Sequence, residues 1–200
     1  MTVIEIDRIA MADESDELTL DRMFQALEKM PVPEGIKVEI VGGNIFMSPQ
    51  RDSHWEIIRR IVRAVEDAFG MDVKVKSDMR FDFPGLLNGF CPDVVKLAAD
   101  AVQDARGRWD FTDVEFIAEV ISRGTADNDY GPKKDVYASA GVPVYVIADP
   151  YTGRCHIYTE PKEGEYTDER TIAFGKEIDL TLTGVEKKIL TLKTDKFPRS

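Results

Sequence analysis

The sequence contains no uninterrupted apolar run of about 18 residues, which excludes a membrane-spanning helix of ordinary length. It holds only two cysteines, Cys91 and Cys155, far apart and without a CxxC pair. That spacing fits reduced packing thiols rather than a disulfide framework or a zinc site. It lacks basic charge: 26 Lys and Arg stand against 37 Asp and Glu, a formal net charge of −11. Broad, non-specific binding to nucleic acid normally needs a basic surface, so the balance argues against it. No internal repeat, low-complexity tract or long linker interrupts the chain. Its opening, MTVIEIDRIAMADES, lacks the basic and apolar regions of a signal peptide, so a cytoplasmic location is expected.

What is present suits a globular protein. Two hundred residues, 43% hydrophobic and 32% charged, are enough to bury a core. The expected organisation is an N-terminal tail over 1–18 and one domain over 19–200. Leu20, Met23, Phe24, Leu27 and Met30 share a helical face, which PVPEG ends. Two strands around Gly42 and Gly43 read as a hairpin. The next segment, SHWEIIRRIVRAVEDAFG, predicts a helix with Ile58, Ile61, Val62, Val65 and Phe69 inward, Ser53 and Glu56 at capping-box spacing, and Gly70 as its stop. Strict alternation over 73–83 predicts one half-buried strand. PDVVKLA and VEFIAEVIS predict two more strands, the second central. RGTADNDYG reads as a loop and PKKDVYASAG as a helix with Pro132 in its first turn. Two strands follow, joined by an Asp-Pro-Tyr-Thr-Gly turn, and the chain from Gly175 onward reads as edge β structure or irregular. The order predicts an α/β fold with a mixed central β-sheet flanked by helices. The helix before the Pro143–Ala148 strand forms a right-handed crossover.

Glu119 stands inside an apolar, strand-forming run. An ionised carboxylate in such an interior costs several kcal/mol unless it is paired. It therefore either faces solvent or belongs to a polar cluster. Asp93 opens the preceding strand and Lys133 opens the following helix. Two carboxylates brought together at neighbouring strand ends repel, and one keeps a proton unless a cation intervenes. Mg²⁺ favours such a set: one or two carboxylates, several waters and substrate phosphate oxygens. The residues alone leave the alternative of solvent-facing acids and a solvated first-turn lysine. His54 also reads as a helix-start residue, Asp129 as a helix cap, and Trp55 and Trp109 as packing aromatics.

The segments PDVV, AEVIS, DYGPKKDVYASAGVPVYVIADP and VEIVGGNIFMSPQRDSHWEII resemble the Uma-two-type restriction endonuclease family, within the PD-(D/E)XK nuclease superfamily. The likeness covers roughly Leu20 to Tyr158. It implies a restriction-endonuclease-like α/β core that binds Mg²⁺ or Mn²⁺ and hydrolyses DNA phosphodiesters. It makes Asp93 and Glu119 metal ligands, with the Val120 backbone carbonyl as a third, and moves the superfamily lysine from the position of Ile121 to Lys133. His54, Glu39, Asp129, Ser122 and Arg123 are accessory candidates. The family's Ser-Pro-Ser is replaced here by Ser122-Arg123-Gly124, and Arg123 adds a potential phosphate contact.

The expected function is metal-dependent endonuclease activity on DNA, with Asp93, Glu119 and Lys133 catalytic. A homodimer would suit an enzyme that cuts both strands. Two alternatives stand beside this reading. One is a catalytically inactive nuclease fold that binds a protein partner through its acidic surface. The other is a metal-dependent hydrolase of a different phosphoester.

Overall fold

The computed structural model describes residues 16–31, 35–49, 51–183 and 187–200. The expected tail lies outside the described residues up to residue 15, as do 32–34 of the helix-ending segment. Residues 16–18, expected in the tail, instead open the first helix. In chain order α1 spans Asp16–Glu28, β1 Ile36–Val41, β2 Asn44–Pro49 and α2 Asp52–Phe69. Four short strands follow: β3 Val75–Lys76, β4 Phe81–Phe83, β5 Asn88–Phe90 and β6 Val94–Leu97. After a 3₁₀ turn come β7 Val114–Val120, α3 Ala126–Tyr130, α4 Pro132–Ser139 and β8 Val144–Asp149. The chain closes with β9 Arg154–Lys162, β10 Glu165–Ala173, β11 Glu177–Thr183 and β12 Lys187–Lys193. None of the described helices is long and apolar enough to cross a membrane.

The central sheet has the order β10-β9-β8-β7-β6-β3. β7 and β8 run parallel and the other pairs antiparallel, so the sheet is mixed. The α3–α4 segment supplies the crossover that parallel neighbours require. Because side chains alternate along a strand, β7 serves two cores. Phe116, Ala118 and Val120 pack with Ile57, Ile58, Ile61 and Val65 of α2. Ile117 and Ile121 pack on the opposite face with Tyr137 of α4 and with Phe81, Phe83 and Phe90. Burying each such side chain stabilises the fold by about 1.5–3 kcal/mol. Glu119 shares the face of Ile117 and Ile121, so it is directed toward α4.

A second sheet, β2-β1-β5-β4, lies on that α4 side. Its β1–β2 hairpin turns at Gly42 and Gly43, with φ of +57° and +77°. Two consecutive positive φ values are what a two-residue hairpin turn of matching twist needs, and glycine reaches them without strain.

The structure departs from the sequence expectations in several places. The alternating segment 73–83 is not one strand. β3 pairs with β6 in the central sheet, while β4 pairs with β5 in the second sheet. Asp78, at φ +53°, marks the break. The loop over 123–131 contains α3. The capping box does not form: α2 starts at Asp52 behind Arg51, and Glu56 instead pairs with Arg59 and Arg60. Gly70 does end α2, its N–H donating to the Glu66 carbonyl at 2.8 Å. The segment from Gly175 is edge β structure rather than irregular chain, in a two-stranded sheet of its own. β11 and β12 form their own hairpin and send Ile178, Leu180, Leu182, Leu190 and Leu192 into the α2 core. Both cysteines are free and buried, and burial pushes their thiols up to about 12, which keeps them protonated.

Candidate active site

The register of β6 and β7 sets the site. Val94 pairs with Ala118, so one further step puts Asp93 opposite Glu119 at the strand ends. Both carboxylates fall on the α4 side of the sheet. The Asp93 N–H donates to Glu119 Oε2 at 3.2 Å, and the Val120 N–H donates to Asp93 Oδ2 at 2.7 Å. Asp93 and Glu119 are 2% and 1% exposed. Neither is a solvent-facing strand residue; Glu119 belongs to a buried polar cluster.

Two lysines make that burial tolerable. Lys133, in the first turn of α4, is buried and not solvated. Its Nζ lies 2.5 Å from Glu119 Oε1, 3.0 Å from Asp129 Oδ1 and 3.1 Å from Glu39 Oε1. Three carboxylates thus occupy its three N–H donors. Lys37 of β1 approaches from the second sheet. Its Nζ lies 2.8 Å from Asp93 Oδ1 and 3.3 Å from Glu119 Oε2, with Glu39 Oε2 at 3.7 Å. Lys37 was not among the residues expected from the sequence. Its signal was available in Ile-Lys-Val-Glu-Ile, where strand alternation puts Lys37 and Glu39 on one face. Tyr137 also reaches the cluster, its hydroxyl donating to Glu119 Oε1 at 2.9 Å.

The shared setting pushes the acids apart. Burial opposes ionisation of Glu119, but the Lys133 and Lys37 ammoniums, with hydrogen bonds from Lys133 and Tyr137, hold its carboxyl at about 2. Burial raises Asp93, against the pull of Lys37, and the Glu119 charge adds to the rise. Burial raises Asp129 to about 7 despite Lys133, because Glu119 and Glu39 repel its charge. Burial opposes protonation of both lysines, yet their carboxylate partners hold them well above the ordinary value.

The other candidates separate into those at the cluster and those at its rim. Glu39 accepts from Lys133 and from the Cys91 N–H at 2.9 Å. His54 Nε2 donates to the Val120 carbonyl at 2.7 Å, and its Nδ1 is buried without a partner among the described residues. Burial lowers the imidazole, so His54 is neutral near pH 7. Asp129 lies within α3 and pairs with Lys133 rather than capping α4, whose N-cap is Gly131. Ser122 lines a recess beside the cluster, together with Lys37, Glu39, His54, Asp93, Glu119 and Val120. Arg123 stacks on Tyr151, its guanidinium 4.8 Å from the ring centre. Trp55 is 54% exposed and is no packing residue; it stands one position after His54.

The recess has a volume of about 20 Å³, room for about one water. Among the described residues no cluster of three or more His, Cys, Asp or Glu side chains is arranged to hold a metal ion. The oxygen donors of Asp93, Glu119 and the Val120 carbonyl are nevertheless of the hard type that suits Mg²⁺ with retained waters. A cation, the Lys37 ammonium, already sits between the two carboxylates. The oxygen donors present therefore fit a small, hard divalent ion.

A mixed sheet flanked by helices, with an acidic pair at adjacent strand ends and a helix lysine behind it, defines a restriction-endonuclease-like α/β fold. A crystal structure described as that of a putative nuclease belonging to DUF820, from Anabaena variabilis ATCC 29413, has the same fold. It matches with a TM-score of 0.60 at 15% identity, over 82% of this chain and 87% of that one. The Uma2 family, described as "Putative restriction endonuclease", matches residues 24–193, and the chain belongs to that family. No curated protein matches it.

Proposed function

We propose that the protein is a nuclease that hydrolyses DNA phosphodiester bonds with the help of Mg²⁺ or Mn²⁺. The observation that carries this reading is the convergence of Asp93 and Glu119 on a single ammonium in a recess that Val120 also lines. Asp93, Glu119 and that carbonyl would hold the ion. When bound, it supplies Lewis acidity and lowers the pKa of a coordinated water. The chain's own residues do the rest. Lys133 and Tyr137 fix Glu119 Oε1, leaving Oε2 directed toward Asp93. The Val120 N–H fixes Asp93 Oδ2 in the same way. His54 Nε2 holds the Val120 carbonyl with a hydrogen bond. Lys133, engaged by Glu119, Asp129 and Glu39, keeps Glu119 ionised to hold the ion. Family membership and the fold of the Anabaena protein, itself described as a putative nuclease, support the assignment.

Plasmid cleavage with Mn²⁺, run on wild type and Glu119→Gln together, tests it. The wild type is expected to nick supercoiled plasmid and the variant to lose at least about 100-fold in rate, since one metal ligand is gone. Equal cutting by both proteins would point to a contaminating nuclease. Turnover of a generic phosphodiester without nicking would move the reading to another phosphoester.

A second reading has its own support. Lys37 fills the position between the carboxylates, and the net charge of −11 does not favour DNA. An inactive nuclease fold that binds a protein partner would show no Mn²⁺ affinity dependent on Asp93 and Glu119.

A further inference from the structure

We infer that Lys37 is a resident counter-ion that a divalent cation must displace in order to load, an inference that rests on the metal-dependent reading of the site. The allocation of carboxylate oxygens carries it. Glu119 Oε1 is taken by Lys133 at 2.5 Å and Tyr137 at 2.9 Å. Asp93 Oδ2 is taken by the Val120 N–H at 2.7 Å. The two oxygens that still face one common ion are Asp93 Oδ1 and Glu119 Oε2, the latter also accepting a longer bond from the Asp93 N–H at 3.2 Å. Those are the two that Lys37 Nζ engages, at 2.8 and 3.3 Å.

Size and charge make the occupancy exclusive. A Mg²⁺ ion binds carboxylate oxygens at about 2.0–2.1 Å. An ammonium within hydrogen-bond distance of the same two oxygens would overlap it and repel it. The recess of about 20 Å³ offers room for about one water beside the cluster, not for a second cation next to Lys37. Lys37 is also placed to move where Lys133 is not. Lys133 does not line the recess and is 1% exposed, with all three donors engaged among helix and strand carboxylates. Lys37 lines the recess, and Glu39 Oε2, 3.7 Å from its Nζ, lies two residues along the same strand face as an alternative partner. Four carboxylates against two ammoniums leave the cluster formally at −2 when all are ionised, so exchanging Lys37 for a dication raises the local charge without reversing it.

The consequence is a site that is electrostatically satisfied without metal and binds metal more weakly than its carboxylates alone would. Calorimetric titration with Mn²⁺ of wild type, Lys37→Met, Lys37→Arg and Glu119→Gln tests this. Lys37→Met is expected to bind Mn²⁺ at least about tenfold more tightly than wild type, because no ammonium competes. Lys37→Arg keeps the charge and is expected to stay near wild type, and Glu119→Gln to lose binding. In the wild type, ¹⁵N spectra of the lysine ammoniums give a readout that needs no variant. Saturating Mg²⁺ is expected to shift the Lys37 signal and speed its hydrogen exchange while the Lys133 signal stays protected.

Unchanged or weaker binding by Lys37→Met, with binding still abolished in Glu119→Gln, would overturn the exchange while leaving the metal site in place. A Lys37 signal unmoved by Mg²⁺ that does bind would overturn it equally, even if Lys37→Met failed to fold. Absence of Mn²⁺ binding by both wild type and Lys37→Met would end this inference and the metal-dependent reading together.

Discussion

Asp93 and Glu119 lock each other in place across adjacent strands. The Asp93 N–H donates to the Glu119 carboxylate, and the Asp93 carboxylate accepts from the N–H of the residue after Glu119. Glu119 is thus oriented by the Asp93 backbone and Asp93 by the Val120 backbone, and a sheet register that slipped by one residue would turn both away from the cluster. A pair of like charges this close persists because two ammoniums flank it, and the flanking is unequal. Glu119 has both lysines and Tyr137, whereas Asp93 has Lys37 alone among them.

Glu119→Gln is expected to destabilise the metal-free protein by about 3–5 kcal/mol, the cost of leaving a buried charge without its partner. Lys133 is the charge left short, with Glu39 and Asp129 as its remaining acceptors. Urea denaturation at pH 7 checks this; a loss under about 1 kcal/mol would mean the pair contributes as little as a surface one.

Tyr137→Phe removes one hydrogen bond to an ionised carboxylate in a buried setting. A loss of about 1.5–3 kcal/mol is expected. The ring stays packed against Phe83, Phe90 and Tyr145, so the fold should hold. The Glu119 carboxyl should rise from about 2, which carboxyl-carbon NMR would read.

The pH dependence of stability should carry a component from Asp129. In the metal-free protein it keeps its proton to about 7, against its usual 3.8. Between those values the folded state holds more protons than the unfolded state, so stability falls as pH rises. Asp129→Asn removes the component. The stability of wild type relative to the variant is expected to decline by up to about 1.4 kcal/mol per pH unit over that window. Glu119 acts oppositely: its lowered carboxyl stabilises the fold above 4.5, and that contribution is lost as pH falls toward about 2. A flat difference between wild type and Asp129→Asn would contradict the Asp129 assignment.

The strands and the long helix were legible because their apolar periods are clean. The Val114–Val120 strand, the α2 face and the crossover helix followed from alternation, a 3.6-residue period and a first-turn proline. What was not legible depended on pairing between distant segments. Val73 to Phe83 alternates apart from Ser77, yet at Asp78 it splits between two sheets. The last hairpin reads as edge β structure or irregular chain because its polar face is as visible in the sequence as its apolar one, and only α2 shows which face is buried. Among the site residues, Asp93 and Glu119 stood out as acids in apolar strands. Lys37 did not, since a lysine on a half-polar strand is ordinary until the fold brings β1 against the ends of β6 and β7.

Gly89→Ala tests whether the site depends on how α1 docks. A Cβ at Gly89 would lie 2.5 Å from Phe24 Cε2, and the Phe24 ring is also held under Arg80. A cost of about 1–3 kcal/mol is expected from the overpacking. Mn²⁺ affinity should not change, because α1 contributes none of the proposed ligands.

Asp93 and Glu119 are expected to hold one divalent cation between them. Mn²⁺ binding to metal-free wild type, Asp93→Asn and Glu119→Gln, followed by electron paramagnetic resonance of the free ion, tests it most directly. One site per chain is expected, weakened at least about 100-fold by either substitution, since one of two carboxylate ligands is lost. Binding that either variant retains at wild-type strength would contradict it.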